Sequence, residues 1–140
     1  MKKYNLLLSF LLLAFSLSVA QVKMDTTNQQ AIKAAEKWLN LVDNGEYNKS
    51  WESAAPILQN AISKEKWNDA LKGVFSPIGS FISRKIISSK YLTSIPGAPN
   101  GEYVVIQFST KFEKKENAIE TITPMKVKNG TWKVSGYYIK

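Results

Sequence analysis

The chain contains no cysteine and no histidine. Without cysteine there are no disulfides, no thiolate zinc site, no iron–sulfur cluster and no cysteine nucleophile. Without histidine the commonest metal ligand and the usual general base near neutral pH are gone. Arginine is almost as scarce, because Arg84 is the one arginine among 19 basic residues. Arginine suits bidentate contacts to phosphate, so its scarcity argues against specific nucleic-acid recognition. There is no glycine-rich phosphate loop, no nucleophile elbow, no calcium-loop spacing and no internal repeat. The sequence therefore implies no metal and no cofactor, and it offers no catalytic residue.

The first twenty residues have the three parts of an export signal. Lys2 and Lys3 form a short positive start, and Leu6 to Val19 run without a charge. Ser18 and Ala20 are the small residues that precede a cleavage site, which makes Gln21 the expected new start. The competing reading is a retained anchor, but an apolar run of about fourteen residues falls short of the ~20 that a membrane-spanning helix needs. No cysteine follows the run, so a lipid at the cleavage site is excluded. The expected product is an exported single domain, residues 21–140, in the periplasm or outside the cell, with no stable membrane span. That length suffices for a core without staples.

Loss of Lys2 and Lys3 leaves 17 basic against 11 acidic residues, a net +6. The excess is lysine dispersed from Lys23 to Lys140, which reads as a solvated surface. A polyanion-binding surface is the alternative.

The first half of the mature chain is helical in pattern. Ile32, Ala35, Leu39 and Val42, with Trp38 beside them, place a helix over 27–43. Thr26, Thr27 or Asn28 can cap it, and Asn44-Gly45 stops it. A second helix starts near Glu46 with Tyr47, Trp51 and Ala54 or Ala55 on one side. Pro56 breaks it and opens a short turn through Ile57, Leu58 and Ile62. Ser63 caps a third helix that buries Trp67, Ala70, Leu71 and Val74 and ends at the Ser76-Pro77-Ile78-Gly79 turn.

From Phe81 the period becomes two. Residues 81–94 read as a long strand whose apolar residues fall on both parities, so a bulge is expected near Ile86-Ile87. A proline-glycine loop follows at 96–101. A strand from Glu102 to Phe112 faces Val104, Ile106, Phe108, Thr110 and Phe112 inward. Residues 113–118 form a charged loop, and strands cover 119–128 and 131–139. Asn129-Gly130 between them predicts a two-residue hairpin turn. That turn sets Lys128 against Thr131, so that Val127 pairs with Trp132, Met125 with Val134, Thr123 with Gly136 and Thr121 with Tyr138, these four pairs sharing the inner face. It sets Lys126 against Lys133 outside, and Glu120 opposite Ile139 outside. The expected architecture is α+β: three N-terminal helices packed on one face of a curved, cone-like four-stranded antiparallel meander sheet.

Several stretches are similar to a bacterial family of exported proteins, domain of unknown function family 4019. They are Ala35-Glu36-Lys37-Trp38-Leu39, Ser50-Trp51-Glu52, Ser63-Lys64-Glu65-Lys66-Trp67, residues 96–108 from the proline-glycine loop into the next strand, Glu120-Thr121-Ile122-Thr123-Pro124-Met125, and Trp132-Lys133-Val134-Ser135-Gly136-Tyr137-Tyr138-Ile139. The resemblance implies an envelope or secreted location and a cone fold similar to nuclear transport factor 2. It implies no activity, because the family has none established.

An enzyme built from this composition needs carboxylates and tyrosines. The acids are scattered over turns and loops, and a lone strand Glu120 on the outer face is a solvated residue. An acid-and-tyrosine isomerase or hydrolase in a cone pocket is therefore the second reading. The first is a non-enzymatic domain that binds a small molecule or an envelope protein. Its candidate site is an inner-face cluster of Thr110, Thr121, Thr123, Gly136 and Tyr138, walled by Trp38, Trp51 and Trp67. The plainer reading of the same residues is packed core, with the hydroxyls bonded to each other or to backbone and a helix close against Gly136. Ile122, Tyr137 and Ile139, pointing outward, would form an apolar patch suited to a homodimer or a partner.

Overall fold

A computed structural model describes residues 25–140. Helix α1 covers residues 25–43, so Thr26, Thr27 and Asn28 lie within it rather than at its cap. It stops where Gly45 adopts φ 71°. There Glu46 N–H donates to the Leu41 carbonyl and Gly45 N–H to that of Val42. These two bonds close a Schellman motif, which satisfies carbonyls the helix end leaves open. The buried face of α1 is Ala31, Ala35, Trp38, Leu39 and Val42, with Ile32 packed at its border.

Short helix α2, Tyr47–Glu52, is followed by α3, Pro56–Ala61, with Pro56 in its first turn. Three helices were expected. The turn after Pro56 is a fourth, because a proline at the first helical position forfeits only an N–H that has no partner anyway. Helix α4 spans Lys64–Ile78, and the Ser63 side chain caps it by accepting from Lys66 N–H. Its buried stripe is Trp67 and Leu71, continued by Phe75, while Ala70 is exposed and Val74 is 37% exposed. Pro77 sits inside the last turn, and the helix ends at Gly79 rather than one turn earlier.

The sheet is an antiparallel meander in the order β1-β2-β3-β4, open at both edges. Its strands are β1, Phe81–Leu92; β2, Tyr103–Phe112; β3, Lys115–Lys126; and β4, Trp132–Ile139. The expected bulge in β1 is present as a register shift between Ile86 and Ser88. The 113–118 loop is tighter than the charge pattern suggested. Only Glu113 and Lys114 turn, pinned by N–H bonds to the carbonyls of Ser80 and Ile78, and β3 begins at Lys115. At the β4 edge Ala55 N–H donates to the Val134 carbonyl, which occupies an acceptor that an edge strand would otherwise expose.

The helices cover one face of the sheet. Val104, Ile106 and Phe108 of β2, Ile122 of β3 and Val134 of β4 form one cluster with α1, Leu58, Trp67 and Leu71. The five inward residues expected of β2, Val104, Ile106, Phe108, Thr110 and Phe112, are all buried.

The hairpin between β3 and β4 differs from expectation. Val127 N–H donates to the Thr131 carbonyl, and Gly130 N–H to that of Val127. The loop therefore has three residues, Lys128, Asn129 and Gly130, with Gly130 at φ 83°. Near the turn this moves the pairing by one: Pro124 meets Val134, Met125 meets Lys133 and Lys126 meets Trp132. A register shift between Thr123 and Pro124 then restores the expected pairs Thr123–Gly136 and Thr121–Tyr138. A one-residue move exchanges the faces, so those pairs point away from the helices.

Candidate functional site

The inner face of β3 carries a glutamate. Glu120 pairs with Ile139 as expected, but it is 0% exposed on the helix-covered side. An unpaired carboxylate there would cost several kcal/mol, so its partners decide whether the position is tenable. Each comes from a different element. Arg84 of β1 donates from Nε to Glu120 Oε1 at 2.8 Å, and its Nη2 lies 2.8 Å from the same oxygen. Thr110 of β2 donates its hydroxyl to Oε1 at 2.5 Å. Tyr137 of β4 donates its hydroxyl to Oε2 at 2.5 Å.

Arg84 extends the network to α1. Its Nη1 and Nη2 donate to the two oxygens of Asp43, at 2.7 and 2.9 Å. Asp43 is the last residue of α1, where the helix dipole disfavours an acid, and a fork-shaped cation offsets that penalty. The guanidinium also lies 4.3 Å from the centre of the Phe81 ring. Burial alone would lower the Arg84 pKa, but the bonds to Asp43 and the charges of Glu120 and Asp43 outweigh it and raise it. Burial, reinforced by the Glu120 charge, pushes the Tyr137 phenol far above its ordinary range, so it remains a donor. The network centred on Arg84 and Glu120 thus joins the first helix to all four strands.

The acid-and-tyrosine pair that the sequence was expected to lack on the inner face is therefore Glu120 with Tyr137. A general base needs a free lone pair within reach of a substrate. Oε1 of Glu120 accepts from Arg84 and Thr110 and Oε2 from Tyr137, and the residue is 0% exposed, so the lone pair left on Oε2 is out of reach of a substrate. The arrangement is that of a structural tie.

At the Asp43 end of the tie a cleft of about 550 Å³ opens between α1, α2, α4 and the start of β1. That volume lies within the range of small-molecule sites. Its apolar lining includes Phe75, Phe81 and Phe112, and the Phe75 and Phe112 rings stand 5.7 Å apart. Tyr47 stacks on Phe75 at 6.1 Å and 17°, and burial raises its phenol pKa. The polar lining is Asp43, Lys72, Ser76 and Ser80, of which Lys72 has no ion-pair partner among the described residues. Neither Glu120 nor Tyr137 lines this cleft.

The site expected from the two-residue turn does not assemble. Thr110 faces inward and serves Glu120, whereas Thr121 is on the outer face beside Gln107. Tyr138 is 52% exposed, and a Cβ added to Gly136 would meet nothing within 4 Å. Thr123 shares that outer face with Gly136. Trp38 and Trp67 are core, their rings 6.0 Å apart, and their indole N–H groups donate to the carbonyl and hydroxyl of buried Ser50. Trp51 donates to the Ile62 carbonyl. The outer patch of Ile122, Tyr137 and Ile139 is likewise absent, since Ile122 is fully buried and Tyr137 packs edge-on against Trp38. Ser18, Ala20 and Gln21 lie outside the described residues. Among the described residues there is no group of three potential metal ligands and no helix long and apolar enough to cross a membrane.

Residues 34–137 match the family described as Protein of unknown function (DUF4019). The chain belongs to that family. Asp43, Arg84, Thr110, Glu120 and Tyr137 all lie within the span that defines this DUF4019 domain. Comparison with curated proteins and with solved structures finds no match.

Proposed function

We propose that this DUF4019 protein is an exported, non-enzymatic binding domain whose ligand occupies the cleft beside Asp43. The observation that carries the reading is the cleft itself: an aromatic floor of Phe75, Phe81 and Phe112 rimmed by Lys72, Tyr47, Ser76 and Ser80. A few polar groups converging on an apolar floor are the usual make-up of a small-molecule site. The ligand class that fits has a flat apolar body and a polar or anionic group for Lys72. Export is supported by the charge and apolar pattern of the first twenty residues. The enzymatic reading has less support, because Glu120 is fully buried among its own hydrogen-bond partners and neither it nor Tyr137 lines the cleft.

The test is a thermal-shift screen of flat aromatic acids against the wild type and Ser76→Trp. Ser76 is exposed on α4 at the cleft wall, so the larger side chain obstructs the site without entering the core. The expected result is a ligand that raises the wild-type Tm but not that of the variant. An equal shift in both proteins, or no shift from any compound, would remove the cleft as the site.

A further inference from the structure

A second groove, of about 430 Å³, runs between α1 and β4, on the other side of Trp38 from the polar tie. Its lining includes Trp38, Leu41 and Val134, together with Lys37 of α1 and Lys133 of β4. No carboxylate lines it, and neither lysine has an ion-pair partner among the described residues. Trp132 also lines it, and its indole Nε1 is buried with no acceptor. The other three tryptophans all have one. A buried donor without a partner is uncommon enough in native proteins to need an explanation.

We infer that this groove binds a small organic anion, a carboxylate carried on an apolar body. The three features specify complementary parts of such a molecule. The apolar lining takes the hydrocarbon, Lys37 and Lys133 bring positive charge to the groove, and the carboxylate gives the Trp132 N–H the acceptor it lacks. A cationic ligand would meet like charge, and a neutral hydrocarbon would leave the indole unpaired. This site is distinct from the cleft at Asp43, and the two share no lining residue.

The experiment is an octanoate titration followed through the tryptophan indole ¹⁵N–¹H resonances, with octylamine as the cationic counterpart. The chain has four tryptophans, so the signals are few enough to assign by single Trp→Phe variants. Octanoate should move the Trp132 resonance saturably and in the direction of a stronger hydrogen bond. The Trp51 and Trp67 resonances should hardly move, and octylamine should have no saturable effect. Lys37→Ala changes an exposed side chain, so its fold is preserved. That variant, and Lys133→Ala, should each weaken octanoate at least several-fold, while Ser76→Trp should leave octanoate binding unchanged. Failure of Trp132 to respond, an equal response to octylamine, or unchanged affinity in both lysine variants would overturn the inference. Loss of binding in Ser76→Trp would overturn it too, by moving the anion to the Asp43 cleft.

Discussion

Two single atoms decide much of how this domain should behave in solution. The hydroxyl of Tyr137 is bonded to a buried carboxylate. A hydrogen bond to a charged group contributes about 1.5–3 kcal/mol, so Tyr137→Phe should lower the unfolding free energy by that amount at neutral pH. Because folding holds this phenol above its unfolded value of 10.0, its contribution is complete below about pH 10 and fades as pH rises toward the folded value. Denaturant titrations of both proteins at pH 8 and pH 11 should therefore show the gap narrowing at pH 11. A gap that widens would contradict the assignment. The second atom is the Cβ that Gly136 lacks. It would meet open space, and no positive φ holds this residue to glycine. Gly136→Ala should leave stability unchanged or raise it by up to about 1 kcal/mol, measured by urea unfolding. A clear loss would mean that the outer face of β4 is covered.

Element by element, the sequence exposed most of the fold and hid most of the site. The inner face of β2 alternates without interruption, and the bulge in β1 betrayed itself as isoleucines on both parities. Both are period-two signals, and a bulge breaks the period visibly. The β3–β4 hairpin failed for a physical reason. Asn-Gly fits a two-residue turn, but it equally ends a three-residue loop whose last position is left-handed. The longer loop set even-numbered β3 residues inward, and the bulge near Ser135 let Trp132 and Val134 share the core with Tyr137. Apolar spacing in β4 thus switches parity, and reading it with one parity sent Glu120 and Tyr137 to the wrong face. The loop can be tested directly. Gly130→Ala places a side chain at φ 83°, which should cost about 1 kcal/mol in unfolding experiments. No cost would favour a turn without that conformation.

Across the whole molecule the sequence showed two parts of the site without joining them, the inward Thr110 and the solitary arginine. Eighteen basic positions are served by lysine, whose compact charge suits an exposed surface. The remaining position needs a fork that can serve two carboxylates at once, and Arg84 fills it. The need itself was not visible, because Asp43, Arg84, Thr110, Glu120 and Tyr137 sit up to about ninety residues apart and share no motif. Only the sheet register and the end of α1 bring them together. If this tie holds the helical layer to the sheet and shapes the adjoining cleft, removal of Arg84 strands two carboxylates. Arg84→Met should then cost about 3–5 kcal/mol. The most direct test is a double-mutant cycle on the unfolding free energy, with Arg84→Met, Glu120→Gln and the pair. The account predicts a coupling of roughly 1–3 kcal/mol, the double variant losing less than the sum of the singles. Losses that add to within about 0.5 kcal/mol would contradict it, because independent sites behave that way.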